Sequence, residues 1–77
     1  MQNTDFKCRL RLLISTLDMT QKEFAQFTGV REASISNYCV GVSEPNQKNL
    51  NKIIQATQVN PSWLMGYGED EDITVLR

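Results

Sequence analysis

The chain of 77 residues contains no histidine. That removes the side chain most used as a general base and metal ligand near neutral pH. Cysteine is sparse: Cys8 and Cys39 lie far apart with no CxxC pair, so neither a zinc centre nor a redox dithiol has its usual ligands. No Gly-rich phosphate loop of recognised spacing occurs either. An enzyme is therefore not expected, and the sequence calls for no cofactor, no metal and no small-molecule ligand. Long apolar runs are also missing. Nothing approaches the roughly 20 residues of a membrane span, and the N-terminus MQNTDFKCRL lacks the basic-then-apolar order of a signal peptide. A cytoplasmic protein is expected, and two unpaired cysteines suit a reducing compartment.

A strong excess of either charge is lacking as well, with a formal net charge of −1. The acids are unevenly placed, however. Glu69, Asp70, Glu71 and Asp72 are consecutive, and residues 1–66 hold seven basic against five acidic side chains, a net +2. The chain before the acidic run is mildly basic, which is compatible with a nucleic-acid partner without arguing for one.

Against these absences stands one organised stretch, Thr20 to Gly41. Thr20 followed three residues later by Glu23 is a capping-box signature that opens a helix at Gln21, and Gly29 can take the left-handed conformation that closes it. A second helix runs from Arg31 or Glu32 to Val40 and ends at Gly41. Ala25 is small enough for the two helices to cross closely, and Ile35 is placed to pin the second. This is a helix-turn-helix arrangement. On a helical wheel Ile35, Tyr38 and Cys39 share one side of the second helix, while Ala33, Asn37 and Val40 point away with Ser36 on their flank.

The rest of the chain supplies a scaffold. Phe6, Leu10, Leu13, Ile14 and Leu17 recur at the spacing of one buried stripe, predicting a helix over Thr4 to Leu17 with Cys8 and Leu12 on its far side. Asn46 is a good cap for a helix over about 47–57, whose Leu50, Ile53, Ile54 and Thr57 repeat at i, i+3, i+4 and i+7. Asn60-Pro61 starts a short fifth helix with Gly66 beyond its end, and Trp63 and Leu64 close the core. The expected fold is all-α, one five-helix domain over residues 1–66. Residues 67–77 are expected to be an acidic tail or linker, frayed or forming a short strand at Ile73-Thr74-Val75.

TQKEFAQFTGVREASISNYCVGVSEPN followed by LNKIIQATQVNPSWLMG resembles the Cro/C1-type helix-turn-helix domain of phage repressors and related bacterial regulators, over roughly residues 6 to 66. Gln21, Ala25, Gly29, Val30, Ile35, Gly41, Pro45 and Trp63-Leu64-Met65-Gly66 stand at that family's spacing. The resemblance implies a transcriptional regulator, either a short Cro-like repressor or the DNA-binding part of a C1-like one. It also implies double-stranded operator DNA as partner, bound as a homodimer on a two-fold-related site.

The side chains have chemistry suited to that role. An exposed helix fits the major groove, where Asn37 can pair with adenine, Glu32 accept from cytosine, Ala33 touch a thymine methyl and Ser36 donate or accept. Arg31 can reach a guanine or a phosphate. Gln21 and Lys22 open the first helix of the pair, where free N–H groups favour phosphate, and Gly41, Ser43 and Asn46 resemble the family's second backbone clamp. The expected dimer surface is Trp63, Met65, Tyr67, Ile73 and Val75, with burial in the core as the other reading of Trp63.

Three departures from the family pattern matter. Glu44 stands where the family often has a cation, and Arg31 where it commonly has a capping serine or threonine. Ile14 and Cys39 occupy the positions of a buried arginine–glutamate pair. Losing one charge of such a pair costs about 3–5 kcal/mol, whereas losing both can be neutral or stabilising. The low basic charge leaves a second function open: a protein-interaction module of the same fold that has lost DNA binding and uses Leu12, Trp63 or the tail.

Overall fold

The computed structural model describes residues 4–66. Five helices follow in order: α1 (Thr4–Thr16), α2 (Gln21–Thr28), α3 (Glu32–Val40), α4 (Gln47–Thr57) and α5 (Pro61–Leu64). Tyr67, Ile73, Val75 and the expected tail strand lie outside the described residues.

α1 stops one residue before the expected Leu17, because Asp18 takes the left-handed conformation at φ 58°. Its N–H donates to the Ser15 carbonyl at 3.0 Å and the Met19 N–H to that of Ile14 at 3.3 Å. This paired closure satisfies carbonyls the helix end leaves open. The same closure ends α3, where Gly41 (φ 85°) donates to Tyr38 at 3.2 Å and Val42 to Asn37 at 3.0 Å.

α2 and α4 end by a shared device. Thr28 donates its hydroxyl to the Phe24 carbonyl at 2.9 Å and accepts the Val30 N–H at 3.4 Å. Thr57 does likewise with the Ile53 carbonyl at 2.7 Å and the Val59 N–H at 3.2 Å. Between threonine and valine sits a left-handed residue, Gly29 in one case and Gln58 (φ 59°) in the other. A non-glycine residue there costs roughly 1–2 kcal/mol of local strain. Gln58→Gly is therefore expected to raise stability by about 0.5–1 kcal/mol, read as a higher urea midpoint with an unchanged slope.

α1 packs on α3 and α5, and α2 on α3 and α4. Leu10, Leu13, Phe24, Ile35, Ile53, Val59, Trp63 and Leu64 form the fully buried centre. The α1 stripe is buried as its periodicity predicts except for Leu17, which is half-buried. On α4 only Ile53 is fully buried, with Leu50 and Ile54 packed against the cluster from its edge. Val59, which no periodic pattern marks, is enclosed because the Thr57 turn folds it back inward.

Of the two readings held for Trp63, on the suggested dimer surface or in the core, the structure favours the core: it retains no accessible surface. The Arg9 guanidinium lies 5.1 Å from the centre of its ring and Nη1 donates to the Trp63 carbonyl at 2.9 Å. Of that suggested surface Met65 is exposed. Among the described residues no helix is long and apolar enough to cross a membrane.

Ile14 and Cys39 are both buried. Burial pushes the Cys39 thiol up, and the charge of Arg11 opposes the push. The native state thus holds the Cys39 proton more tightly than the unfolded chain. Its contribution is complete below the ordinary thiol range and is lost as pH rises through the raised folded value, so stability should fall at alkaline pH. Cys8 is exposed. A thiol-alkylating reagent at neutral pH is expected to modify Cys8 alone, with Cys39 reacting only in denaturant, which mass spectrometry of the peptides checks.

Candidate nucleic-acid interface

The corner between α2 and α3 is built from local rules. Thr20 Oγ1 accepts the Glu23 N–H at 3.1 Å while Glu23 Oε1 accepts the Thr20 N–H at 2.9 Å, the reciprocal pair expected from the sequence. Gly29 (φ 81°) turns the chain, its N–H donating to the Ala25 carbonyl at 2.9 Å. Ala25 and Val30 are buried at the crossing.

Longer-range contacts then fix the angle at which α3 is presented. Ile35, Tyr38 and Cys39 face inward, and the Tyr38 ring meets Phe6 edge-on, centroids 6.4 Å apart. The Tyr38 hydroxyl accepts the Asn49 side-chain amide at 2.9 Å, tying α3 to α4. Lys52, also on α4, donates to the Gly29 carbonyl at 3.3 Å. This cation lies at the C-terminal end of α2, where it complements the helix dipole. Neither Asn49 nor Lys52 has a sequence signal for this role, because each partner lies far away in the chain.

With one side of α3 fixed, the other is open. Glu32, Ala33 and Asn37 are exposed and Ser36 is half-buried on their flank. Arg31 precedes the helix as an exposed residue whose side chain makes no capping bond, leaving the guanidinium to reach outward. All five suggested base-reading residues therefore share one strip. Val40 continues it as an exposed apolar residue and Val42 lies just beyond in the loop.

Gln21 and Lys22 are exposed at the start of α2. Gly41 and Ser43 are exposed in the loop after α3. Asn46 is exposed too, but its side-chain oxygen accepts the Asn49 N–H at 2.8 Å to cap α4. Its oxygen is thus committed to the fold, and only N–H groups remain for an anion. Glu44 is exposed in the same loop, so that loop offers a carboxylate and no cation. Among the described residues no cluster of three or more histidine, cysteine, aspartate or glutamate side chains is placed to hold a metal.

Two short helices meeting at a left-handed glycine, the second pinned on its inner side and bare on its outer, define a helix-turn-helix domain. The helix-turn-helix family profile matches residues 10–64, and the chain belongs to that family, in its Cro/C1-type form. It is 32% identical over 66 residues to the HTH-type transcriptional regulator DicA of Escherichia coli (strain K12), a match covering 86% of this chain and 49% of that protein. The chain thus matches about half the length of this curated relative. No solved structure matches it significantly.

Proposed function

We propose that this chain is a sequence-specific DNA-binding transcriptional regulator that lays α3 in the major groove of an operator. The observation carrying this reading is the division of α3 into a buried face, Ile35, Tyr38 and Cys39, and an exposed polar strip, Glu32, Ala33, Ser36 and Asn37, with Arg31 at its entrance. Such a strip can sort base pairs by their donor and acceptor pattern. Gln21 and Lys22 on one side and the N–H groups of Gly41, Ser43 and Asn46 on the other would fix the register on the phosphates. The relative's description as a transcriptional regulator supports the same role.

The finer reading is a phage-type repressor, Cro-like or the DNA-binding part of a C1-like protein, bound as a homodimer to a two-fold-related site. The domain measures 28 × 28 × 22 Å. Two copies seated side by side suit half-sites about one DNA turn, roughly 34–36 Å, apart. Met65 and the chain after it would form the dimer contact.

Selection from a random pool of DNA duplexes tests this. A palindromic consensus is the expected outcome, and recovery of no preferred sequence would overturn the reading. Glu44 and the exposed Leu12 and Phe27 favour the competing reading, a protein-interaction module without DNA binding. That reading requires DNA affinity to be absent or indifferent to sequence.

A further inference from the structure

Two cations of α1 stand beside the two stretches expected to hold the DNA backbone. Lys7 lies against the C-terminal end of α3: a methyl group placed on Gly41 would come 2.9 Å from Lys7 Cδ and 3.4 Å from Lys7 Nζ. Arg11, one turn further along α1, lines a cleft of about 350 Å³ together with Gln21, the first residue of α2. Ile14, Ser15, Asp18 and Cys39 share that cleft. Arg11 and Cys39 line the same cleft, which therefore opens along the seam between α1 and α3. Among the described residues neither Lys7 nor Arg11 makes a hydrogen bond or an ion pair.

We propose that α1 is a third arm of the DNA interface: Lys7, beside the end of α3, and Arg11, beside the start of α2, bind backbone phosphates, supplying charge that the loop after α3 lacks. This rests on the reading of the chain as a DNA-binding protein. Lys7 and Arg11 are at i and i+4, so both lie on the side of α1 that borders α3. Lys7 reaches the Gly41–Asn46 loop, whose only charged side chain is Glu44. Arg11 reaches the cleft at Gln21, whose lining also carries the carboxylate of Asp18.

The role is electrostatic and indifferent to sequence, so it has a signature that base readers and core residues do not share. The experiment measures affinity for the duplex recovered by selection and for a scrambled duplex, between about 50 and about 200 mM salt, for wild type, Lys7→Gln, Arg11→Gln and the double variant. Each lost phosphate contact should flatten the plot of log affinity against log salt by about 0.9, so the affinity loss across that range shrinks about 3.5-fold per substitution. The ratio between the two duplexes should stay unchanged, as should the urea midpoint. Asp18→Asn should tighten binding to both duplexes equally.

A steep wild-type slope left unaltered in the double variant would overturn the α1 arm while leaving DNA binding in place. A changed ratio between duplexes would overturn it too, by assigning Lys7 or Arg11 to base contact. Wild type that binds neither duplex would overturn the underlying reading and the arm with it.

Discussion

Trp63→Ala is expected to remove most of the stability of this domain, about 3–5 kcal/mol. The indole is the largest fully buried side chain, and alanine would leave a void between α1 and α5 and strip the Arg9 guanidinium of the ring beneath it. A domain of this size has only a few kcal/mol to lose. Circular dichroism in urea should report the loss, since the variant has no tryptophan left to fluoresce. The drop in midpoint should be the same at low and high protein concentration. A drop that appears only on dilution would instead place Trp63 at a contact between copies. Among the described residues Trp63 Nε1 is buried without a hydrogen-bond partner, which already costs the native state some of its margin. Trp63→Phe, which deletes that unpaired N–H along with part of the ring, should therefore cost much less than the alanine variant.

The second large effect is functional. Replacing Ser36 and Asn37 together with alanine should cost the selected duplex about 10- to 100-fold in affinity, because a well-placed side-chain pair with a base is worth about 1–3 kcal/mol of discrimination. Binding to a scrambled duplex and the salt slope should be nearly unchanged, since phosphate contacts are untouched. The urea midpoint should also hold. What Asn37 contributes to the fold is its backbone carbonyl, which accepts the N–H groups of Gly41 and Val42 at 3.0 Å each and survives the substitution. Undiminished preference for the selected duplex after both changes would remove this strip from the readout.

The two experiments divide α3 as the fold does. Changes on the side of Ile35, Tyr38 and Cys39 are expected to act through stability, and changes on the Ser36 and Asn37 side through the proposed recognition. Lys52 and Asn49 fall between these classes. Their bonds to Gly29 and Tyr38 hold α3 at its angle, so they would influence recognition without touching DNA.

Much of this was legible in the chain itself, for a physical reason: helix limits are set by groups three or four residues apart. The Thr20 and Glu23 capping box, the Gly29 turn, the Asn46 cap and the Asn60-Pro61 start all act within one turn, so the sequence alone places them. The α1 stripe and the inward face of α3 follow likewise from helical periodicity. What the sequence could not decide is how far each apolar group goes in once the helices meet. Trp63 at the end of the domain is equally suited to a core or to an interface, and only the packing of α1 over α5 encloses it. Leu50 and Ile54 carry the same pattern as Ile53 but lie at the edge of the core. Val59 is buried by a turn in which Gln58 takes a conformation usually left to glycine. The ties from Asn49 and Lys52, and the approach of Lys7 to Gly41, join residues far apart in the chain, where no local rule operates. Sequence by itself determined the helices and the chemistry of the exposed strip. Tertiary structure decided which residues hold that strip in place and that Lys7 comes up to Gly41 and Arg11 to the cleft at Gln21, because those depend on distances between elements that the order of residues does not encode.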